Sequence, residues 1–181
     1  RPKRHKIQEL ITVCSKANMV IYETDDKINE NKQIPLDMGS AVGLKNIERS
    51  LTTESDGVSE LSLAETGVKE IYIPYTNKRL GWHTDGCYNN PTNPINGFIL
   101  HCVRAAKEGG ENCLLDPDIA YILLRDENPD FIDGLMLDDA LTIPKNEKDG
   151  TIVRREQTGP VITIQQKNIV SGDETIHFRY T

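Results

Sequence analysis

The sequence predicts a mainly β protein with accessory helices, an antiparallel sandwich or jelly roll, and three observations carry that expectation. Short runs rich in β-branched and aromatic residues recur from about residue 57 onward: GVSELSL, KEIYIP, GFILHCV, NCLL, ALTI, PVITI and TIHFRY. Gly, Pro or Asn breaks stand between them. Helical patterning interrupts the series once, at residues 116 to 136, so most of the runs follow one another without an intervening helix.

Taken in order, Ile7, Leu10, Ile11 and Cys14 fall at i, i+3, i+4 and i+7 and predict an amphipathic first helix. An apolar stretch at residues 19 to 22 reads as a strand, and ETDDKINENKQ, residues 23 to 33, as a solvated loop. Pro35 is expected to open a short helix carrying Leu36, Met38 and Val42. A turn is expected at residues 65 to 67. Asp116-Pro117 and Asn128-Pro129 each place a capping side chain before a proline, which predicts two short helices. Their inward faces are expected to carry Ile119, Ile122 and Leu123, then Ile132, Leu135 and Met136. Residues 145 to 158, KNEKDGTIVRREQT, lack an apolar period and read as an exposed insertion.

The 181 residues suit one domain over 1–181, and 37% hydrophobic with 27% charged residues is an ordinary globular balance. A formal charge of -7 disfavours nucleic acid or an anionic membrane as the main partner. The sequence shows no long apolar span and no signal-peptide pattern, so a cytoplasmic setting is expected. Cys14, Cys87, Cys102 and Cys113 form no CxxC pair and are expected to be reduced thiols.

The chemistry-bearing stretch is GWHTDG, residues 81 to 86. In a strand, residues two apart share a face, so His83 and Asp85 can present an imidazole and a carboxylate to one point while Thr84 faces away. That is half of the two-histidine, one-carboxylate facial set that holds Fe(II) in non-haem oxygenases. Alone the pair is a weak signal, because such tripeptides arise by chance. Its neighbours Trp82, Gly86 and an Asn/Pro-rich loop favour a strand end where ligands can enter. Tyr75, Asn77 and Tyr88 flank the same mouth as candidates for substrate contact or for loop packing. Downstream, Gly109-Gly110-Glu111-Asn112 reads as a tight turn.

The ordered set YIPYTNKRLGWHTDG and FILHCVRAAKEGGENCLLD resembles the TauD/TfdA-type family of Fe(II)- and 2-oxoglutarate-dependent dioxygenases, which includes the taurine and gamma-butyrobetaine hydroxylases. The match runs from about residue 57 to 137 and more weakly over the rest. The resemblance implies a double-stranded β-helix (jelly roll), with His83 and Asp85 as metal ligands and Asn112 holding 2-oxoglutarate. It implies Fe(II), 2-oxoglutarate and O2 as cofactor and cosubstrates. It also implies an enzyme that hydroxylates a small molecule and releases succinate and CO2. Trp82 matches a family tryptophan beside the motif.

The remaining histidines test the pattern. His5 lies in the basic N-terminal tail, and His101, in the run LHCVRAA, reads as a hydrogen-bonded scaffold residue. His177 shares a polar face with Thr175 and Arg179, opposite Ile176, Phe178 and Tyr180. The family's distal histidine stands farther from the HxD pair than His177 does, and its cosubstrate arginine follows later than Arg179. FRYT is therefore expected to precede the distal histidine, with the last C-terminal strands, that histidine and that arginine absent from this chain. His177 as a ligand is the alternative. A rival function is a catalytically inactive jelly-roll binding module lacking the third iron ligand. Hydrolysis by zinc-bound water is disfavoured by a two-ligand set. Segments 23 to 50 and 145 to 158 are expected at a pocket lid or at contacts in a homo-oligomer.

Overall fold

The computed structural model describes residues 4–24, 30–49, 53–64, 69, 72–90, 92–148, 150–165 and 174–181. Helix α1 (Arg4–Ala17) shelters the four predicted positions Ile7, Leu10, Ile11 and Cys14 while its other described side chains stay exposed. His5, expected in a tail, lies within it. Asn18 follows at φ 54°, a left-handed conformation that Asn tolerates at a helix end. Its amide donates to Asp116 Oδ1 at 3.0 Å and Asp118 Oδ2 at 3.3 Å, joining the end of α1 to the start of a later helix.

Helix α2 (Gln33–Ala41) begins two residues before Pro35, and it buries Met38 and Gly39, the latter beside Leu44 and Ile99. Ahead of it, the Lys32 ammonium faces Glu54 at 3.1 Å, Asp56 at 3.5 Å and Glu60 at 3.2 Å, an exposed cluster that ties the segment to the loop after residue 53. Residues 19 to 22, expected as a strand, have no ladder pairing. Tyr22 nonetheless hydrogen-bonds His101 Nδ1 at 2.8 Å and stacks on its ring, so His101 is a hydrogen-bonded scaffold residue as expected.

Helices α3 (Pro117–Glu127) and α4 (Pro129–Leu135) start where the capping pattern placed them. Asp116 accepts from Asp118 N at 2.9 Å and Asn128 from Asp130 N at 3.0 Å, each satisfying a donor that the first helical turn leaves free. Their inward faces differ in part from expectation. Ile132 and Leu135 pack inward, but α3 contributes Tyr121 and Leu124, while Ile119, Ile122, Leu123 and Met136 are exposed.

The described strands are β1 (Leu141–Ile143), β2 (Asn146–Lys148), β3 (Thr151–Arg154), β4 (Gln157–Gly159), β5 (Ile162–Gln165) and β6 (Thr175–Phe178). They pair antiparallel as β1 with β4, β2 with β3 and β5 with β6, so the described residues hold three two-stranded sheets and no closed barrel. ALTI, PVITI and TIHFRY form strands as predicted. GVSELSL, GFILHCV and NCLL form no strand and have no ladder partners, and residues 73 to 75 form a 3₁₀ turn instead of a strand. Within residues 145 to 158, β2 and β3 pair as a hairpin with Gly150 at φ 76°, and most of the described residues there are exposed, as expected. The turn expected at residues 65 to 67 lies outside the described residues.

The core gathers Ile132, Val161 and Ile162 with Tyr121, Leu124, Leu135, Leu141, Ile176 and Phe178 around them. Ile162 is fully buried, a placement that stabilises the fold by roughly 1.5–3 kcal/mol relative to exposure. Val161 N donates to Leu135 O and Arg179 N to Val161 O, both at 2.8 Å, so the α3–α4 pair and the β5–β6 hairpin form one unit. The apolar face of β5–β6 is spent on this core, which leaves its other face for polar work.

Candidate active site

That other face carries Thr163 and Gln165 of β5 opposite His177 and Thr175 of β6. Chain from the GWHTDG stretch lies against it and against the residues that follow β6. Thr84 N donates to Tyr180 O at 2.9 Å, and Thr84 Oγ1 accepts from Tyr180 N at 3.0 Å. Thr84 is half-buried by this pairing while His83 and Asp85 on either side are exposed, the alternation expected of the pair. The stretch is not a strand, however. Residues 83 and 84 lie in irregular chain, and a turn begins at Asp85 and continues to residue 88.

His83 Nδ1 lies 2.9 Å from Gly81 O. A carbonyl oxygen only accepts, so in the neutral ring Nδ1 carries the proton and Nε2 keeps its lone pair, the state a metal-ligating histidine needs. Among the described residues no hydrogen bond or ion pair engages the Asp85 carboxylate. Gly86 then turns the chain at φ 67°, where a Cβ would stand 2.7 Å from two carbons of Ile95. The last glycine of the motif is therefore a steric requirement.

The turn is anchored from below. Cys87 is buried, and burial pushes its thiol above the ordinary range. Its carbonyl accepts from Arg179 Nε at 2.7 Å. Arg179, itself buried, also donates from Nη1 to Pro160 O at 3.3 Å and from Nη2 to Leu141 O at 3.1 Å and Gln157 O at 2.7 Å. A guanidinium engaged by four carbonyls has little left to clamp a dicarboxylate. Sequence reasoning had weighed Arg179 only against the cosubstrate arginine; the one signal for its anchoring role was the alternation in TIHFRY.

Between turn and sheet lies a cleft of about 60 Å³, lined by Gly86, Asn89 and Asn90 on one side and Thr163, Gln165 and His177 on the other. It has room for a few waters or one small functional group. Burial lowers the pKa of His177 below its ordinary value. The structure does not gather His177 with His83 and Asp85: among the described residues no three His, Cys, Asp or Glu side chains form a metal-holding group. His83 and Asp85 carry two donor types that suit a metal site, and the described residues supply no third beside them.

Of the flanking candidates, Tyr75 is a packing residue, 3% exposed, with Lys69 Nζ 5.2 Å from its ring centroid. Trp82 and Asn77 are exposed, and Tyr88 carries the Arg154 guanidinium 4.9 Å from its ring centroid. Asn112 lies in irregular chain, after Gly109 at φ 69° and Gly110 at φ 80°, and the turn expected at residues 109 to 112 is not formed. Its amide makes one long bond, 3.4 Å to Gly110 O, and no hydrogen bond joins it to the His83–Asp85 turn.

Comparison with known proteins follows this geometry. Residues 31–179 match the model of the "Taurine catabolism dioxygenase TauD, TfdA family". A uridine-5'-phosphate dioxygenase of Streptomyces sp is 31% identical over 115 residues, 61% of this chain and 39% of that protein. A uridine-5'-phosphate dioxygenase of Amycolatopsis sp is 33% identical over 87 residues, 46% of this chain. The chain thus spans 39% and 29% of the lengths of these two relatives. No solved structure matches it.

Proposed function

Since this chain belongs to the TauD/TfdA family of dioxygenases, we propose that its protein is an Fe(II)- and 2-oxoglutarate-dependent oxygenase that hydroxylates a small molecule. The observation that carries the reading is the His83 ring, held through Nδ1 by Gly81 O so that Nε2 keeps its lone pair, two residues before the unengaged carboxylate of Asp85. His83 and Asp85 would hold the metal. When bound, Fe(II) with 2-oxoglutarate and O2 supplies the oxidising power for hydroxylation, with release of succinate and CO2. The exposed Asn112 amide would contact the cosubstrate. The jelly roll typical of the family is the proposed scaffold, and a cytoplasmic setting with a small-molecule substrate, without nucleic acid or membrane, is part of the same proposal. Because both relatives are uridine-5'-phosphate dioxygenases, that nucleotide is the first substrate to try.

Within this reading the chain's own residues have distinct work. Gly81 fixes the tautomer of His83, Thr84 turns away to Tyr180, and Gly86 lets the chain reverse directly after the carboxylate. The test uses the full-length gene product. His83→Ala and Asp85→Ala should each cut Fe(II)-dependent succinate formation by on the order of 100-fold or more. Unaltered turnover in both variants would sink the proposal. The inactive binding module is favoured by the lack of a third donor among the described residues. Failure of the intact protein to bind Fe(II) in an anaerobic titration would decide for it.

A further inference from the structure

The Asp85 carboxylate has no side-chain partner to aim it, yet the backbone on both sides of it is fixed. Thr84, one residue before, is hydrogen-bonded to Tyr180 at 2.9 and 3.0 Å. Cys87, two residues after, is bonded through its carbonyl to Arg179 at 2.7 Å. Two consecutive residues beyond β6 thus bracket the carboxylate. The Thr84 side of the bracket is a local pairing, but the Arg179 side reaches further. Its guanidinium also takes Leu141 O of β1, Gln157 O of β4 and Pro160 O before β5.

We infer that Arg179 is a positioning residue for Asp85, a buried fork that registers the turn after the carboxylate against three other segments of the fold. Among the described residues no acidic side chain pairs with it, and carbonyl oxygens alone compensate the buried charge. A planar fork of five donors suits that task, and a lysine, a single point of charge, cannot span four carbonyls. The seat is shaped to match: a Cβ at Gly159 would lie 3.2 Å from Arg179 Nη1, so that position admits a side chain only if the guanidinium shifts. The inference rests on the proposed metal role of Asp85 for its metal readout and on the structure alone for its backbone readout.

Arg179→Lys and Gly159→Ala test it in the full-length protein by amide hydrogen exchange and by Mn(II) titration. In both variants exchange over residues 85 to 90 should quicken by about tenfold or more while the α3–α4 amides keep their protection. Mn(II) affinity should fall by about 10–100-fold, as for lost supporting groups around a metal ligand, and the KM for 2-oxoglutarate measured at saturating metal should stay unchanged. Unchanged exchange at 85 to 90 in folded variants overturns the inference. So does retained Mn(II) affinity with a raised KM for 2-oxoglutarate, which would make Arg179 a cosubstrate clamp. If Arg179→Lys does not fold, Gly159→Ala decides by the same readings. If the unaltered protein binds no Mn(II), the proposed function falls and the exchange data alone judge Arg179.

Discussion

His177 shows how a single side chain couples the polar face to pH. Burial in the cleft disfavours its charged form, so its folded pKa lies below the ordinary 6.5. The unfolded chain then binds the proton more readily than the folded one. The resulting stability is fully present above about pH 6.5 and is lost as pH falls through the lower folded value. Thr163, Gln165 and Asn89 line the same cleft and none of them is an acid that would reverse the sign. Melting temperature should therefore drop between pH 7 and pH 5, and His177→Gln should flatten that drop; an identical slope in the variant would refute the assignment. The polar face itself was legible in TIHFRY from its period of two. What Arg179 bonds to was not, since its four carbonyls come from residues 87, 141, 157 and 160, a set fixed only by tertiary placement.

Elements were legible where their determinants are local. Asp116-Pro117 and Asn128-Pro129 announced α3 and α4 because a cap is made by residues two apart. Asn128→Ala should cost about 1 kcal/mol, a loss of about 2–4 °C in melting temperature. Asp116→Ala should cost more, because it also removes the shorter of the two Asn18 bonds that join α3 to α1. Thermal melts of the two variants, ranked the other way, would show that this junction contributes nothing. The inward face of α3 differs from expectation because PDIAYILLRDE offers two adjacent apolar stripes, and packing against the Ile132, Val161 and Ile162 cluster selects Tyr121 with Leu124 over Ile119 with Ile122. Strand patterning does not say which segments pair, and a ladder needs a partner that composition does not name. Hence ALTI found its partner in β4, while GFILHCV stays outside any ladder.

At the scale of the molecule, Ile132, Val161 and Ile162 form a buried cluster among the described residues, with Met38, Tyr75, Cys87 and Ile143 buried apart from it. The surface of 13833 Å² exceeds the roughly 8,800 Å² expected of a compact chain of 20.3 kDa. Trp82, Leu63 and Leu123, each more than half exposed, contribute to the excess. Packing therefore holds the α3–α4 and β5–β6 unit together, whereas the turn bearing Asp85 is attached to it chiefly by hydrogen bonds. Among the described residues no helix is long and apolar enough to cross a membrane. Those attaching bonds span 92 and 96 residues of sequence. Closing a loop of that length costs about 4 kcal/mol beyond the constant for any closure, so the turn should form after the core that receives it. Pulse-labelled hydrogen exchange during refolding should find residues 84 to 90 protected later than α3 and α4, and simultaneous protection would contradict this order. On the ribosome, a nascent chain that has already released His83 and Asp85 still has no fixed backbone around them, and acquires it only when Arg179 and Tyr180 follow them out.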